Sequence, residues 1–221
     1  MKTVLSTKVL SHSQKELFLN SGIGLVEYNA LKFNFLEVDI PQHITHLIFT
    51  SKNAVRAFLD QSAHLQVSTY RIFCVGEKTR TLLEETGLNV VKMAENASEL
   101  AYFIEKQHKK EHFLFICGNR RREELPNILS ENNIRYDEIE VYQTELVPKK
   151  FNRSFDGLLF FSPSGIKSYL LENRINDSWL FCIGHTTAQE AKKYSDKLIV
   201  AKRPTVENVL VQAVKKLSFR T

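Results

Sequence analysis

The chain has 221 residues, of which 43% are hydrophobic and 25% charged, a composition typical of a globular protein with a substantial buried core. Its formal net charge of +5 suits a small anionic ligand, whereas scattered basic residues without interleaved aromatic residues argue against a nucleic-acid partner. No apolar run approaches the roughly 20 residues needed to cross a membrane, and the short apolar stretch at the start does not fit a secretory signal.

The three cysteines, Cys74, Cys117 and Cys182, each lie at the end of an apolar run near a glycine. They lack metal-ligand spacing and cannot all form disulfides with one another, so we expect buried, reduced thiols. Because reduced thiols are typical of the cytosol, we expect a cytoplasmic protein.

The first 31 residues predict a strand, a helix and a second strand. The helix ends near Gly22, and residues 23–31 are again rich in strand formers. A strand–helix–strand order indicates a parallel sheet. Residues 33–41 then fit either an extended connector between domains or an ordinary edge strand.

An internal repeat is the strongest pattern in the chain. Each copy has a strand followed by a Ser-containing turn and a helix, then a strand ending in Cys-x-Gly with a Thr-bearing helix and another strand, and finally a capped amphipathic helix. The order is the same in both copies, which predicts two similar α/β units. The matching segments are 47–59 with 158–170, 73–90 with 181–200, and 95–107 with 204–217.

The first copy carries an additional strand–helix–strand at residues 113–144. The run FLFIC predicts a strand buried on both faces, and Gly118 with Asn119 ends it. Leu125 and Leu129 then have helical spacing, with Asn119 as the candidate N-cap. A turn at the start of a helix presents free N–H groups, so this turn is a candidate anion site.

We therefore predict an α/β fold of two similar domains, each a parallel sheet flanked by helices. One domain combines residues 1–37 and 147–221, and the other is an inserted domain at residues 39–144. The ligand cleft is expected where the carboxyl ends of the two sets of strands face each other.

The candidate binding residues all follow predicted strands. Taken alone, each Ser or Thr is typically a helix N-cap, and Gly76 or Gly184 can serve only to turn the backbone. Together, their turns would present N–H groups suited to a ligand with many carboxylates. The candidates are Thr50, Ser51, Gly76, Lys78, Thr79, Gly118, Asn119, Arg122, Ser162, Ser164, Gly165, Gly184, Thr186 and Thr187.

His108 and His112 have the spacing of neighbours on one helix face, with Glu111 between them. No third ligand is evident from the sequence, so we expect a solvated helix end rather than a zinc site. No metal site is predicted.

Residues 113–144 resemble the uroporphyrinogen-III synthase family, and the similarity extends over nearly the whole chain through FTSKNAV, CVGEKT, FFSPSG and IGHTTA. Many members have an Arg-Pro pair after the first strand. Here Lys8 is the only cation nearby, so it either replaces that arginine or the role is absent. The residues that carry the resemblance in the central stretch are Cys117, Gly118, Asn119, Arg122, Glu123, Leu125, Pro126, Val141, Tyr142 and Thr144.

The resemblance implies that the two domains are joined by a two-stranded linker. It also implies a monomeric hydro-lyase of tetrapyrrole biosynthesis. Its small-molecule substrate would be hydroxymethylbilane, which the family cyclises to uroporphyrinogen III with loss of water and inversion of the last ring, using no cofactor or metal. Tyr142 matches the family tyrosine and is the candidate that assists loss of the hydroxyl, while Thr79 and Thr186 or Thr187 would contact the substrate. A non-catalytic two-lobed binding or sensor protein for an anionic ligand is the alternative.

Overall fold

The computed structural model describes residues 1–19, 21–61 and 67–218. The chain forms two compact units, one made of Met1–Lys32 with Glu145–Thr221 and the other of Phe33–Thr144. In chain order the helices and strands are β1 (Thr3–Ser6), α1 (His12–Leu19), β2 (Gly24–Glu27), β3 (Leu31–Phe35), β4 (His46–Phe49), α2 (Lys52–Gln61), a short 3-10 helix (Val67–Thr69), β5 (Arg71–Val75), α3 (Glu77–Glu85), β6 (Val90–Ala94), α4 (Ala97–Gln107), β7 (His112–Gly118), α5 (Glu124–Glu131), β8 (Arg135–Leu146), β9 (Gly157–Phe160), α6 (Pro163–Leu170), β10 (Trp179–Cys182), α7 (His185–Ala191), β11 (Leu198–Val200) and α8 (Val206–Leu217).

The unit that contains both ends of the chain is a five-stranded sheet in the order β11-β10-β9-β1-β2. Its pairings are all parallel. Strand residues alternate between two cores, so that Leu5 packs with residues of α6 and α7, whereas Val4 packs with residues of α1 and α8. Helices therefore cover both faces of the sheet, as a buried parallel sheet requires.

The inserted unit is a six-stranded sheet in the order β3-β8-β7-β4-β5-β6. The pairings from β8 through to β6 are parallel. Leu114 and Ile116 of β7 face the core shared with α2 and α3, and Phe113 and Phe115 face the core shared with α4 and α5. The expectation that this strand is buried on both faces is confirmed.

The two sheets share one arrangement of five strands, but the chain forms those strands in a different order in each sheet. In the inserted unit the order runs β6-β5-β4-β7-β8, and in the other unit it runs β11-β10-β9-β1-β2. The segment β1–α1–β2 thus occupies in its sheet the place that β7–α5–β8 occupies in the other. The additional strand–helix–strand that the sequence assigned to one repeat alone has its counterpart at the N-terminal end of the chain.

The segment between α4 and β7 differs from the prediction. Helix α4 ends at Gln107 with His108 as its C-cap, and His112 is already the first residue of β7. The interpretation of His108 and His112 as neighbours on one helix face is therefore wrong, because a turn separates them.

The three cysteines are buried free thiols, as the sequence predicted. Within the described ranges of the chain, no helix is both long enough and apolar enough to cross a membrane.

Candidate active site

The inserted unit has a crevice where the direction of its strand connections reverses. From β4 the chain moves outward to β5 and β6, whereas β7 and β8 lie on the other side of β4. In open parallel sheets, ligands bind outside the carboxyl ends of the two strands at such a point. Here those ends carry Thr50 and Ser51 after β4 and Gly118 at the end of β7, and all three line a cavity of about 360 Å³.

Tyr142 of β8 reaches this cavity because the strand pairing is irregular. Cys117 of β7 pairs with Glu140, but the next residue, Gly118, pairs with Tyr142, so Val141 is an extra residue in β8. Such a bulge re-aims the side chains that follow it and is common beside functional sites. The bulge places the Tyr142 side chain at the carboxyl end of β7 rather than one residue further along.

The Tyr142 hydroxyl lies 3.1 Å from the Ser51 Oγ atom. Burial raises the pKa of Tyr142 above its ordinary value of 10, although the Ser51 hydrogen bond opposes that change. The phenol is therefore protonated at neutral pH and can donate a hydrogen bond. The Phe33 ring packs edge-on against it, with the ring centroids 6.1 Å apart.

Gly118 makes room for the Tyr142 ring. An ideal Cβ atom at position 118 would lie only 2.6 Å from the Cε1 and Cε2 atoms of Tyr142. No side chain fits there without displacing the ring. The sequence interpreted Gly118 as a residue that contacts ligand, and the geometry gives it a packing reason within the unit.

Ser51 and Ser162 are helix N-caps, which is the ordinary role that the sequence allowed for them. The Ser51 Oγ accepts a hydrogen bond from the Ala54 N–H at 3.1 Å, and the Ser162 Oγ accepts one from the Gly165 N–H at 3.1 Å. Ser51 differs because its hydroxyl also meets the Tyr142 hydroxyl, so one side chain both starts α2 and holds the tyrosine.

Three consecutive arginines of the β7–α5 loop line the cavity, where the sequence singled out only Arg122. Arg120 Nε donates to the Thr144 carbonyl at 3.1 Å. Arg121 pairs with Glu123 at 2.7 Å and Glu138 at 2.5 Å, and the hydrogen bond to Glu123 is the main reason that its pKa is raised. Arg120 and Arg121 therefore also hold the loop on β8, and the exposed Arg122 brings a third positive charge to the cavity.

The start of α4 also borders the cavity, and sequence reasoning did not select it. Asn96 and Ala97 line it, and the Asn96 side chain accepts a hydrogen bond from the Glu99 N–H at 2.9 Å. The capping residue was recognised in the sequence, but its position beside the end of β7 depends on the order of the strands. A helix N-terminus adds positive potential to the cavity.

Asn119 is not the N-cap of α5. Its side-chain oxygen accepts a hydrogen bond from the Thr144 N–H at 2.9 Å, and the helix begins later, at Glu124, with Glu123 as its N-cap. The expected anion site at this helix start is also disfavoured, because Glu123 and Glu124 place carboxylates there. Asn119 ties the loop to β8 beyond the bulge.

Other predicted residues lie outside the cavity. Lys78 borders a separate groove with Lys52 and Arg56 of α2. Thr79 is only 5% exposed, in the first turn of α3, where little of its side chain is accessible. Gly76 has φ of +85°, so the turn before α3 requires glycine for its backbone conformation.

In the other unit the strand order reverses between β1 and β9, so a ligand is expected at the carboxyl ends of those two strands. Lys8 follows β1 and is exposed, and Ser162 caps α6 with Ser164 and Gly165 in its first turn. Thr7, a residue that the sequence did not select, is buried and donates from Oγ1 to the Leu159 carbonyl at 2.8 Å, which fixes the two strand ends together.

Gly184 precedes α7 without a conformational need for glycine. Its φ is −172°, an extended value open to any residue, and no described atom lies within 4 Å of an ideal Cβ there. This φ gives no support to the alternative that Gly184 serves only to turn the backbone, and the space around its Cα is open. Thr187 is 3% exposed, whereas Thr186 lies on the surface.

The family model described as Uroporphyrinogen-III synthase HemD matches residues 13–210. A curated relative, the porphyrin biosynthesis protein HemD of Ruminiclostridium josui, is 25% identical over 184 residues. The match covers 74% of this chain and 36% of the relative, so the chain spans about a third of that longer protein.

Two solved structures share the fold. The uroporphyrinogen-III synthetase of Helicobacter pylori 26695 is 19% identical with a TM-score of 0.76, covering 98% of this chain and 100% of that one. A mutant uroporphyrinogen III synthase of the extremely thermophilic bacterium Thermus thermophilus is 12% identical with a TM-score of 0.70, covering 98% of both chains. None of these relatives is named as a binding or sensor protein.

The fold and the cavity thus define a two-unit parallel α/β protein in which a protonated phenol and several cations meet at the ends of the strands. With the family match over residues 13–210, the chain belongs to the uroporphyrinogen-III synthase HemD family.

Proposed function

We propose that this protein is a uroporphyrinogen-III synthase, a hydro-lyase that cyclises hydroxymethylbilane to uroporphyrinogen III with loss of water and inversion of ring D. The observation that carries the proposal is the Tyr142 phenol, which is protonated at neutral pH and hydrogen-bonded to Ser51. It lies where the direction of the strand connections in the inserted sheet reverses. Family membership supports the same reaction.

The reaction requires a hydrogen-bond donor at the oxygen that leaves the substrate. The hydroxyl of the substrate takes up a proton and departs as water, and its carbon becomes part of a conjugated azafulvene cation; a proton is released again from the pyrrole carbon that finally closes the ring. A substituted pyrrole carbon then attacks that carbon, and the spiro intermediate fragments and recloses as the inverted ring. The substrate supplies the electrons for these steps, so a protein nucleophile is unnecessary. Tyr142 would donate a hydrogen bond as negative charge develops on the departing oxygen.

Arginines outnumber glutamates around Tyr142, since Arg120, Arg121 and Arg122 line the cavity against Glu95 and Glu124, and this balance suits a substrate with carboxylates. Arg122 is an exposed cation at the cavity, and the start of α4 at Asn96 adds a positive helix end. The open space at Gly184 in the other unit suits close approach of a ligand to the backbone. We propose that Lys8 takes the role of the arginine that many members carry after the first strand.

The proposal includes a domain arrangement. The two units, Phe33–Thr144 and Met1–Lys32 with Glu145–Thr221, would be the two domains predicted at 39–144 and at 1–37 with 147–221, and the substrate would lie between the carboxyl ends of their strands. Of the remaining predicted residues at these ends, Thr50 and the exposed Thr186 would add carboxylate contacts. We further propose a cytoplasmic monomer, which light scattering coupled to size-exclusion chromatography tests by its mass.

Incubation with hydroxymethylbilane tests the reaction directly. Free substrate closes without an enzyme to the uninverted isomer, so the ratio of the two isomers after oxidation to porphyrins reports catalysis. We expect uroporphyrinogen III to dominate in proportion to the protein added. If the uninverted isomer accumulates at the rate seen without protein while the ligand still binds, the alternative of a non-catalytic binding protein takes its place.

A further inference from the structure

At the opposite end of the inserted sheet from Tyr142, three metal-ligating side chains converge. His46 is the first residue of β4, His108 caps the end of α4, and Glu111 lies in the turn before β7. One ligand atom from each lies within 4.8 Å of the other two. Two of these residues were recognised in the sequence, but His46 was missed because only the pairing of β4 with β7 brings it beside them.

His46 is held in place and has an unused ligand atom. The residue is 8% exposed, and its Nε2 is buried without a hydrogen-bond partner among the described residues. That nitrogen lies 3.9 Å from the Glu111 Oε2. A buried polar atom without a partner is costly, so its presence points to a group that is not part of the chain.

The surrounding rings fix the two imidazoles. His46 packs against Phe113 with centroids 5.6 Å apart, and His108 packs edge-on against Phe73 at 5.1 Å. The turn itself is closed by the Glu111 N–H, which donates to the His108 carbonyl at 3.0 Å. The two histidines are therefore positioned by packing, whereas the Glu111 side chain is 45% exposed and able to adjust.

We propose that His46, His108 and Glu111 bind a divalent transition-metal ion, with Zn²⁺ as the best match, and that water takes the fourth position. Two imidazoles and one carboxylate are an established zinc ligand set, with metal–ligand distances of about 2.0–2.2 Å. Tetrahedral geometry at that distance puts ligand atoms roughly 3.4 Å apart, whereas the three atoms here lie within 4.8 Å of one another, so they must approach by up to about 1.4 Å to complete the site.

The ion would be a structural link rather than part of the reaction. It joins the start of β4 to the α4–β7 turn, whereas the cavity lies beyond the opposite ends of β4 and β7. The positive charge of Arg71 opposes it, because Arg71 of β5 pairs in register with His46. Removal of that charge should strengthen metal binding.

Calorimetric titration of the untagged, EDTA-treated full chain with ZnCl₂ tests the proposal, with Co²⁺ absorption as a second readout. We expect one ion per chain, a cobalt spectrum typical of four-coordination, and a higher melting temperature with zinc. Glu111→Gln and His108→Ala should each weaken zinc binding by at least about 100-fold, because removal of a ligand exceeds the 10–100-fold effect of its outer partners. Arg71→Gln should tighten it severalfold.

The matched control is His12→Gln, which removes an exposed histidine that lies 3.6 Å from Glu16 on α1. It should leave zinc affinity unchanged. Glu111→Gln is nearly isosteric, so circular dichroism should show a native fold, and its yield of uroporphyrinogen III should equal that of the parent. Absence of a stoichiometric ion, or equal zinc affinity in the parent, Glu111→Gln and His108→Ala proteins, would overturn the site whatever the outcome of the isomer assay.

Discussion

The ring of Tyr142 on β8 packs directly against the backbone of Gly118 on the neighbouring strand β7. The ring of the tyrosine covers the glycine so closely that a Cβ at position 118 would come within 2.6 Å of two ring carbons. The position of the phenol is thus set by the absence of a side chain on the adjacent strand.

Gly118→Ala should displace that ring. Overpacking of a buried contact typically costs about 1–3 kcal/mol, and we expect a loss of that size in the free energy of unfolding. Urea denaturation measures it, and the yield of uroporphyrinogen III should fall as well. Gly184→Ala is the control for stability, because its φ is ordinary and the space before it is open. Equal losses in the two variants would contradict this account of Gly118.

Tyr142→Phe removes the hydroxyl and keeps the ring. We expect the rate of uroporphyrinogen III formation to fall by roughly 100-fold, within the range for a lost general acid or a single positioned donor. The uninverted isomer should rise correspondingly while the melting temperature barely moves. Tyr136→Phe is the matched control, since this tyrosine lies on the same strand with its hydroxyl 3.1 Å from the Ser130 Oγ. A Tyr142→Phe protein that retains the parent rate would make the tyrosine structural.

Arg122→Ala should affect substrate binding more than Lys78→Ala. Arg122 lines the cavity with Tyr142, whereas Lys78 borders the groove between α2 and α3. Loss of one partly exposed, charged hydrogen bond costs about 1–2 kcal/mol, which corresponds to a KM raised by roughly 5- to 30-fold. Steady-state kinetics at fixed ionic strength compares the two variants. A thousandfold increase from Arg122→Ala would mean that one side chain dominates carboxylate binding.

We expect the buried thiols to make the free energy of unfolding decrease at alkaline pH. Burial raises the pKa of Cys74 and Cys182 to about 12 and that of Cys117 to about 11, against a value of 9.0 for an unperturbed thiol. Between pH 9 and these values the unfolded chain releases protons that the folded chain retains. The free energy of unfolding should therefore decrease as pH rises above 9. Cys74→Ala and Cys182→Ala should each reduce that slope, as measured by urea denaturation from about pH 8 to about pH 10.5; an unchanged slope would argue against buried thiols.

The chain passes between the two units at only two places, after Lys32 and after Thr144. We therefore expect their relative orientation to vary in solution and to become restricted when ligand binds. Small-angle X-ray scattering with and without a product-like porphyrinogen should show a smaller radius of gyration with ligand. No change at saturating ligand would count against a closing motion.

The sequence predicted what depends on local patterns. The caps Asn96 and Thr205 start α4 and α8 as expected, with their side chains accepting from the Glu99 and Asn208 N–H groups. The burial of both faces of β7 was also predictable from a local pattern, because a strand buried on both faces is apolar throughout.

The sequence failed where position depends on pairing between strands. The extra residue Val141 has no local signal, because a bulge arises from the mismatch with β7, yet it decides where Tyr142 lies. His46 was missed for the same reason, because only the pairing of strands in the sheet brings it close to His108. Arg120 and Arg121 were visible as a basic run, but their bonds to Thr144 and Glu138 come from the path of β8.

The insertion of one unit into the other also bears on the order in which the two units fold during translation. Strand β1 lies between β2 and β9, and β9 begins only at Gly157, after the whole inserted unit has been translated. Val4 and Leu5 of β1 therefore cannot pair with β9 until it has been translated. Strands β4 to β8, in contrast, are translated one after another without interruption. Since domains generally fold as units during translation, we expect the inserted unit to fold first and β1, which is made before it, to be among the last strands enclosed. During that interval the apolar residues of β1 would be accessible to chaperones and prone to aggregate.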